Sequence, residues 1–162
     1  MRIAPQLKDQ GFRALNRVHA TLVRVSGGRV GQRAFGMDVV ELRTTGRRSG
    51  RSHVTMLTTP VVEDDKLVLV ASKGGDDRDP DWYKNLLANP DVDVKWRGKL
   101  QSMRARVAYD DERATLWPQV VASYHSYDSY RLRTRRVIPL VICSPAPRGA
   151  SPSTAQGDEC DR

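Results

Sequence analysis

Residues 41–53 read Glu-Leu-Arg-Thr-Thr-Gly-Arg-Arg-Ser-Gly-Arg-Ser-His. Arg47, Arg48 and Arg51 share this stretch with Gly46, Gly50, Ser49 and two threonines. A guanidinium grips phosphate or carboxylate through a planar fork of donors. Glycine lets the backbone approach a ligand closely or take positive φ. Small hydroxyls and exposed amides complete an anion cradle. These residue types at this spacing suit a polyanionic ligand. A merely solvated basic hairpin is the plainer alternative.

Other clusters point to a flat, polar ligand. Ala71-Ser-Lys-Gly-Gly75 ends an apolar run in a Gly-Gly loop. There Ser72, Lys73 and nearby amides suit the polar atoms of a ring, or form an ordinary turn. Trp82 and Tyr83 either pack a short helix or wall a ring pocket. Tyr124, Tyr127 and Tyr130 recur every third residue. On a helix such residues share a face. The three phenols suit a lid that hydrogen-bonds a substrate; partial core burial is the alternative. His19, His53 and His125 have no carboxylate or cysteine at ligand spacing, so no metal site is expected. Nothing resembles a nucleophile elbow.

These clusters need elements to position them. Strands are expected over 38–44, 54–62, 67–72, 92–96, 99–109 and 137–143. Asp79-Pro80-Asp81 starts a short helix, with proline in its first turn, that stops at Asn89-Pro90. Asp110-Asp111 caps a second helix over 112–123. Strands joined by turns pair antiparallel, and short strands with few helices suggest a small barrel. The strand-helix alternation of a Rossmann domain is absent, and so is GxGxxG. Residues 7–25 show the three-four apolar spacing of an amphipathic helix, with Arg13, Arg17 and Arg24 off the stripe. Residues 1–35 thus form a helix and linker, 36–145 the barrel domain, and 146–162 a disordered tail rich in Pro, Ser, Gly and Ala.

The net charge of the 162 residues is +8, with its positive part concentrated before Pro60. Such a field favours nucleic acid, an anionic membrane or an anionic cofactor. No helix-turn-helix, zinc finger or RNA-binding aromatic signature accompanies it, which argues against nucleic acid. Cys143 and Cys160 make no disulfide framework. Cys143 lies in an apolar run and reads as a small buried hydrophobe. The first residues lack the apolar stretch of a signal peptide. The expected compartment is the cytoplasm, with a peripheral place at the inner face of the membrane if helix 7–25 rests on lipid. Composition separates neither monomer from dimer.

Six motifs in order, spanning about 39–145, resemble the deazaflavin-dependent nitroreductase family. They are Leu42-Arg-Thr-Thr-Gly-Arg-Arg-Ser-Gly50, Ala71-Ser-Lys-Gly-Gly75, Asp81-Trp-Tyr-Lys-Asn-Leu-Leu-Ala-Asn-Pro90, Trp117-Pro-Gln, Tyr124-His-Ser-Tyr127 and Arg136-Val-Ile-Pro139. The resemblance implies a mainly antiparallel split β-barrel with flanking helices, of the flavin-reductase and FMN-binding kind. It implies an actinobacterial oxidoreductase that uses coenzyme F-420, an 8-hydroxy-5-deazaflavin, and reduces quinones or nitro compounds. Arg47, Arg48 and Ser49 would hold the phosphate and polyglutamate tail. Ala71, Ser72 and Lys73 would contact the ring and ribityl chain. Asp81, Trp82, Tyr83, Lys84 and Asn85 would complete the pocket. His53, Thr55 and Met56 would also contact the cofactor, although the family often shows an arginine and then Pro-Leu where this chain has His53 and Met56-Leu57. Tyr127 would sit over the ring as the catalytic residue, with Tyr124 and Tyr130 beside it. An FMN-dependent reductase on the same fold, or a basic nucleic-acid or membrane-surface module, is the alternative.

Overall fold

Eight short strands carry the architecture, described for residues 33–146 in a computed structural model. They are β1 (Arg33–Ala34), β2 (Met37–Thr45), β3 (Ser52–Thr59), β4 (Val61–Glu63), β5 (Lys66–Val70), β6 (Asp91–Trp96), β7 (Lys99–Val107) and β8 (Leu140–Pro145). Three helices accompany them: α1 (Asp81–Ala88), α2 (Asp110–Ser123) and α3 (Ser126–Arg133). A single 3-10 turn covers Lys73–Gly75.

Every strand pair is antiparallel. The sheet runs β1-β2-β6-β7-β8-β5-β4, and β3 lies on the other edge of β2. This is the expected split β-barrel. Strand alternation places odd and even residues of a strand on opposite faces. Leu67 and Leu69 of β5 therefore join Val40, Leu42, Val94 and Val141 inside the barrel. Val68 and Val70 point outward, where Leu116 and Val120 of α2 and Tyr127 of α3 cover them. Helix α1 sends Trp82, Tyr83 and Leu86 into the inner core. Two cores, inside and outside one curled sheet, make β5 and β8 buried on both faces.

Several boundaries differ from expectation for local reasons. The strand expected over 54–62 breaks at Pro60, which has no N–H for a ladder. Thr59 Oγ1 spans the break by donating to the carbonyls of Val61 and Val68, both at 3.0 Å. The last strand starts at Leu140 rather than 137, after the exposed Val137 and the proline Pro139. The strand expected over 67–72 ends at Val70, and Ala71 N donates instead to Pro139 O at 3.0 Å. Pro80 precedes α1 as its N-cap instead of lying in its first turn. At α2 the expected caps Asp110 and Asp111 are the first helical residues. Glu112 does the capping there: its Oε2 accepts from Tyr109 N at 2.9 Å. The Arg106 guanidinium, bonded to Glu112, holds that carboxyl down at about 2. Strand β1 opens at Arg33, within the stretch expected to be linker. The helix expected over 7–25, with its membrane contact, and the tail beyond Ala146 lie outside the described residues.

Cys143 is fully buried in the inner core. Burial pushes its thiol from the ordinary 9.0 up to about 12. A raised folded-state pKa means that its contribution is intact below pH 9 and is lost as pH rises toward 12. That loss approaches about 1.4 kcal/mol per pH unit. Urea unfolding of the wild type should therefore show stability falling above pH 9. Cys143→Ala, less stable at neutral pH because of its cavity, should show a flatter alkaline decline. Parallel declines would show that the thiol is not the titrating group.

Candidate active site

The loop between β2 and β3 is a compact turn. Gly46 N donates to Arg51 O and Gly50 N to Gly46 O, each at 2.8 Å. A Cβ on Gly46 would stand 2.5 Å from Ser49 Oγ and 2.7 Å from His53 Nε2, so a larger residue there would displace both exposed side chains. Ser49 Oγ lies 3.3 Å from His53 Nε2 and accepts from Arg51 N at 3.3 Å. Arg47 fastens the loop to α1. Its backbone N and Nη1 donate to Asn85 Oδ1 at 3.2 and 2.9 Å, and Nη2 donates to Asp81 Oδ1 at 3.2 Å. Asn85 is buried and donates in turn to Thr44 Oγ1 at 3.4 Å. Arg48 and Arg51 are exposed, and among the described residues neither side chain has a hydrogen bond or ion pair. One arginine thus builds the loop and two remain available.

The segment after β5 is bent by three successive positive φ values, 47° at Lys73, 65° at Gly74 and 82° at Gly75. Ala71 is fully buried and Ser72 nearly so. Arg136 fixes their backbone. Its Nη2 donates to the carbonyls of Ala71 and Ser72 at 2.9 and 3.0 Å, its Nε to Asp76 O at 2.9 Å, and its Nη1 to Asp79 Oδ1 at 2.9 Å. The Asp76 carboxyl sits at about 2, held there mainly by the Arg78 guanidinium. Asp77 accepts from Thr134 Oγ1 at 2.9 Å and Arg135 N at 3.2 Å. Those two bonds, that of Thr134 first, lower its pKa.

The three tyrosines do not share one helix. Tyr124 is the extended residue that closes α2, while Tyr127 and Tyr130 belong to α3. Their rings still form a row, Tyr124 to Tyr127 at 5.6 Å and Tyr127 to Tyr130 at 5.9 Å, both edge-on. Tyr127 is 6% exposed, with its OH 3.3 Å from Thr58 Oγ1 on β3. Burial pushes its phenol above the ordinary 10.0. Burial, followed by the hydrogen bond with Tyr124, raises Tyr130 as well.

These contacts link into a circuit. Strand β3 meets α3 at Thr58–Tyr127, and α3 rests on Gly75. Gly75 belongs to the segment that Arg136 ties to Asp79. Two residues on, α1 holds Arg47, whose loop returns to β3 at Ser49–His53. Among the described residues strand β3 pairs on one side only, with β2, so its far edge carries backbone groups outside any ladder they form. The register aligns His53 and Thr55 with Thr44 and Leu42 on the inner face, and Met56 with Glu41 on the other. Of the α1 residues singled out by sequence, Asp81 and Asn85 hold the loop, Trp82 and Tyr83 enter the core, and Lys84 is half-buried. Sequence reasoning counted Arg51 in the anion cradle but gave it no share of the cofactor tail, and it did not single out Thr58 or Phe35 as site residues. It noted Arg136 only within a motif, without a role.

A split β-barrel whose half-open strand is ringed by cationic, hydroxyl and phenolic side chains is the class this geometry defines. The family model for F-420H(2)-dependent quinone reductase matches residues 15–145. An F-420H(2)-dependent quinone reductase of Mycobacterium tuberculosis is 38% identical over 133 residues, 79% of this chain and 88% of that one. A solved F420-H2 dependent reductase, FDR-A, is similar at TM-score 0.60 and 38% identity, over 65% of this chain and 93% of that one. A second solved structure, described as a domain-swapped dimer, reaches TM-score 0.63 at 34% identity, over 79% of this chain and 96% of that one. The chain belongs to the F-420H(2)-dependent quinone reductase family.

Gly75 offers a direct check on the circuit. A Cβ there would lie 2.9 Å from both Arg133 Cβ and Tyr130 O, at a φ of +82°. Gly75→Ala should cost about 1–3 kcal/mol through backbone strain, with a further loss from pushing α3 outward. Thermal unfolding measures the first effect, and a change in tyrosine near-ultraviolet dichroism reports the second. Unchanged stability would mean that α3 does not rest on this glycine.

Proposed function

We propose that this protein is an oxidoreductase that binds coenzyme F-420 and delivers hydride from its reduced form to a quinone, with nitro compounds as alternative acceptors. Its relatives' named activity supports the reading. The observation that carries it is the pair Arg48 and Arg51, unpartnered among the described residues, beside a strand whose second edge is open among them and which a buried phenol overlooks. A deazaflavin with a phosphodiester and several carboxylates matches two available guanidinium groups. A flavin mononucleotide has one phosphate and none of these carboxylates, so it uses a dense basic turn less fully.

In this reading Arg48 and Arg51 hold the anionic tail, while Arg47 and Ser49 keep the loop in shape. Ser72, Lys73, His53, Thr55 and Met56 border the ring. Asp81, Asn85 and Lys84 support the pocket from α1, and Trp82 and Tyr83 support it from the core. When bound, the reduced deazaflavin supplies a hydride from its central ring carbon. The protein's part is position and electrostatics. Tyr127 holds its proton because burial disfavours the phenolate. Its OH can therefore donate to an acceptor oxygen as negative charge develops there. Thr58 fixes the direction of that OH. Tyr124 and Tyr130 confine Tyr127 edge-on from both sides.

The tail assignment has a comparative test. Arg48→Ala and Arg51→Ala should each weaken F-420 binding about ten- to a hundred-fold, the range for a charge-assisted hydrogen bond. They should leave a tailless deazaflavin nearly unaffected. Arg47→Ala, by releasing the loop, should weaken both ligands alike. Equal losses for both ligands at Arg48 and Arg51 would sink the tail assignment.

The phenol has a kinetic test, followed as absorbance loss of reduced F-420 against a quinone panel. Tyr127→Phe should lower kcat about tenfold or more at nearly constant cofactor affinity. A pKa raised above 10.0 keeps the donor protonated throughout the neutral range. Wild type and variant should therefore have parallel pH–rate profiles below pH 10. An unchanged kcat reduces Tyr127 to packing, and no oxidation with any quinone or nitro compound overturns the function.

A further inference from the structure

Phe35 occupies a position that stability alone disfavours. The register Arg33↔Asp38 and Ala34↔Met37 leaves Phe35 and Gly36 as the two turn residues between β1 and β2. Both have positive φ, 55° and 80°. A two-residue hairpin with positive φ at both positions strongly prefers Asn-Gly or Asp-Gly. A bulky residue at positive φ is a genuine outlier, and such outliers cluster at functional sites. Phe35 is also 71% exposed, so burial does not offset the strain.

What the position achieves is a ring contact. Phe35 lies 5.0 Å from Tyr124 at an interplanar angle of 34°. It extends the tyrosine row to four rings, ending at Tyr130 above Gly75. Phe35 and Tyr124 tilt together, whereas the tyrosine pairs stand edge-on at 87° and 85°. The hairpin is anchored at its base. Asp38 accepts from Trp96 Nε1 at 2.9 Å and Arg97 Nε at 3.0 Å, and Arg33 pairs with it at 3.6 Å. Phe35 is thus an exposed apolar ring presented by a fixed turn.

We propose that Phe35 is a specificity-determining residue, which forms with Tyr124 an outer acceptor subsite for quinones that carry a second fused aromatic ring. The inference rests on the quinone reductase reading above and deepens it. Tyr124 stands between them, its ring centroid 5.6 Å from that of Tyr127 and 5.0 Å from that of Phe35, so an acceptor whose carbonyl lies at the Tyr127 phenol would meet Phe35 through groups beyond its quinone ring. A fused second ring supplies a flat apolar face for the tilted pair, and a bare benzoquinone does not. Aromatic pairing at this level shifts affinity by about two- to tenfold.

The test uses the full chain with Phe35→Asn and Phe35→Tyr. Asparagine suits positive φ, so Phe35→Asn should unfold at or above the wild-type temperature, which separates loss of the ring from loss of the fold. Its KM for a naphthoquinone should rise about two- to tenfold more than its KM for benzoquinone, at similar kcat and F-420 affinity. Phe35→Tyr should restore the wild-type ratio. A ratio unchanged in Phe35→Asn overturns the proposal. The second readout is naphthoquinone quenching of protein fluorescence without cofactor. If the wild type reduces no quinone, the functional reading fails on its own, and quenching then decides Phe35. Weaker quenching in Phe35→Asn supports the subsite, and identical quenching overturns it.

Discussion

The guanidinium of Arg136 sits where three parts of the chain must meet, and it is mostly buried there, with 15% of its side chain exposed. It donates to three backbone carbonyls and one carboxylate between 57 and 65 residues away. The segment around Ser72 leaves the sheet in a left-handed bend and has no ladder to satisfy those carbonyls. A buried acceptor left unpaired costs about 1–3 kcal/mol. Arginine, with five donors in a fixed fork, can satisfy several at once. Because Arg136 lies between α3 and β8, the same bonds tie the tyrosine-bearing helix to the loop that leads into α1. Lysine has the charge but not the fork, so it could not hold this geometry.

The arginines of this chain show how one residue type divides its work by surroundings. Arg47 and Arg48 are neighbours, yet Arg47 is spent on Asn85 and Asp81 while Arg48 stays exposed. The difference comes from α1, which reaches the loop with a buried amide and a carboxylate. A cationic loop this dense would otherwise repel itself. Fastening one arginine to α1 relieves part of that repulsion and leaves the other two directed by a rigid turn. The same economy recurs at Asp38, where one carboxylate serves Trp96, Arg97 and Arg33 and pins the first hairpin.

Much of this was legible before folding because it depends on local periodicity. The continuous apolar run of β5, the apolar alternation of β6, the turn at Arg97-Gly98 and the stop of α1 before Pro90 are short-range consequences of residue type. The polar atoms near the site were legible as types but not as partners. Tyr124, Tyr127 and Tyr130 have the spacing of one helix face, yet the chain breaks after Ser123 and begins again at Ser126. The rings meet anyway, since packing of Tyr127 against β3 and Val120 against the sheet fixes both helices independently. Phe35 offered no periodic signal at all, because a two-residue turn has no period.

The sequence by itself determined the antiparallel barrel, the basic turn between its first long strands and the family to which the chain belongs. Those follow from alternation, from glycine and proline punctuation and from motifs in order, all short-range properties. Only the tertiary structure decided which arginine anchors and which stays available, that β3 has β2 as its one partner among the described residues, and that a turn phenylalanine joins the tyrosines. Each of these is a contact between residues distant in the chain, such as Arg47 with Asn85 or Thr58 with Tyr127. Their partners are chosen by how the sheet curls and where the helices land on it, and no local pattern encodes that choice.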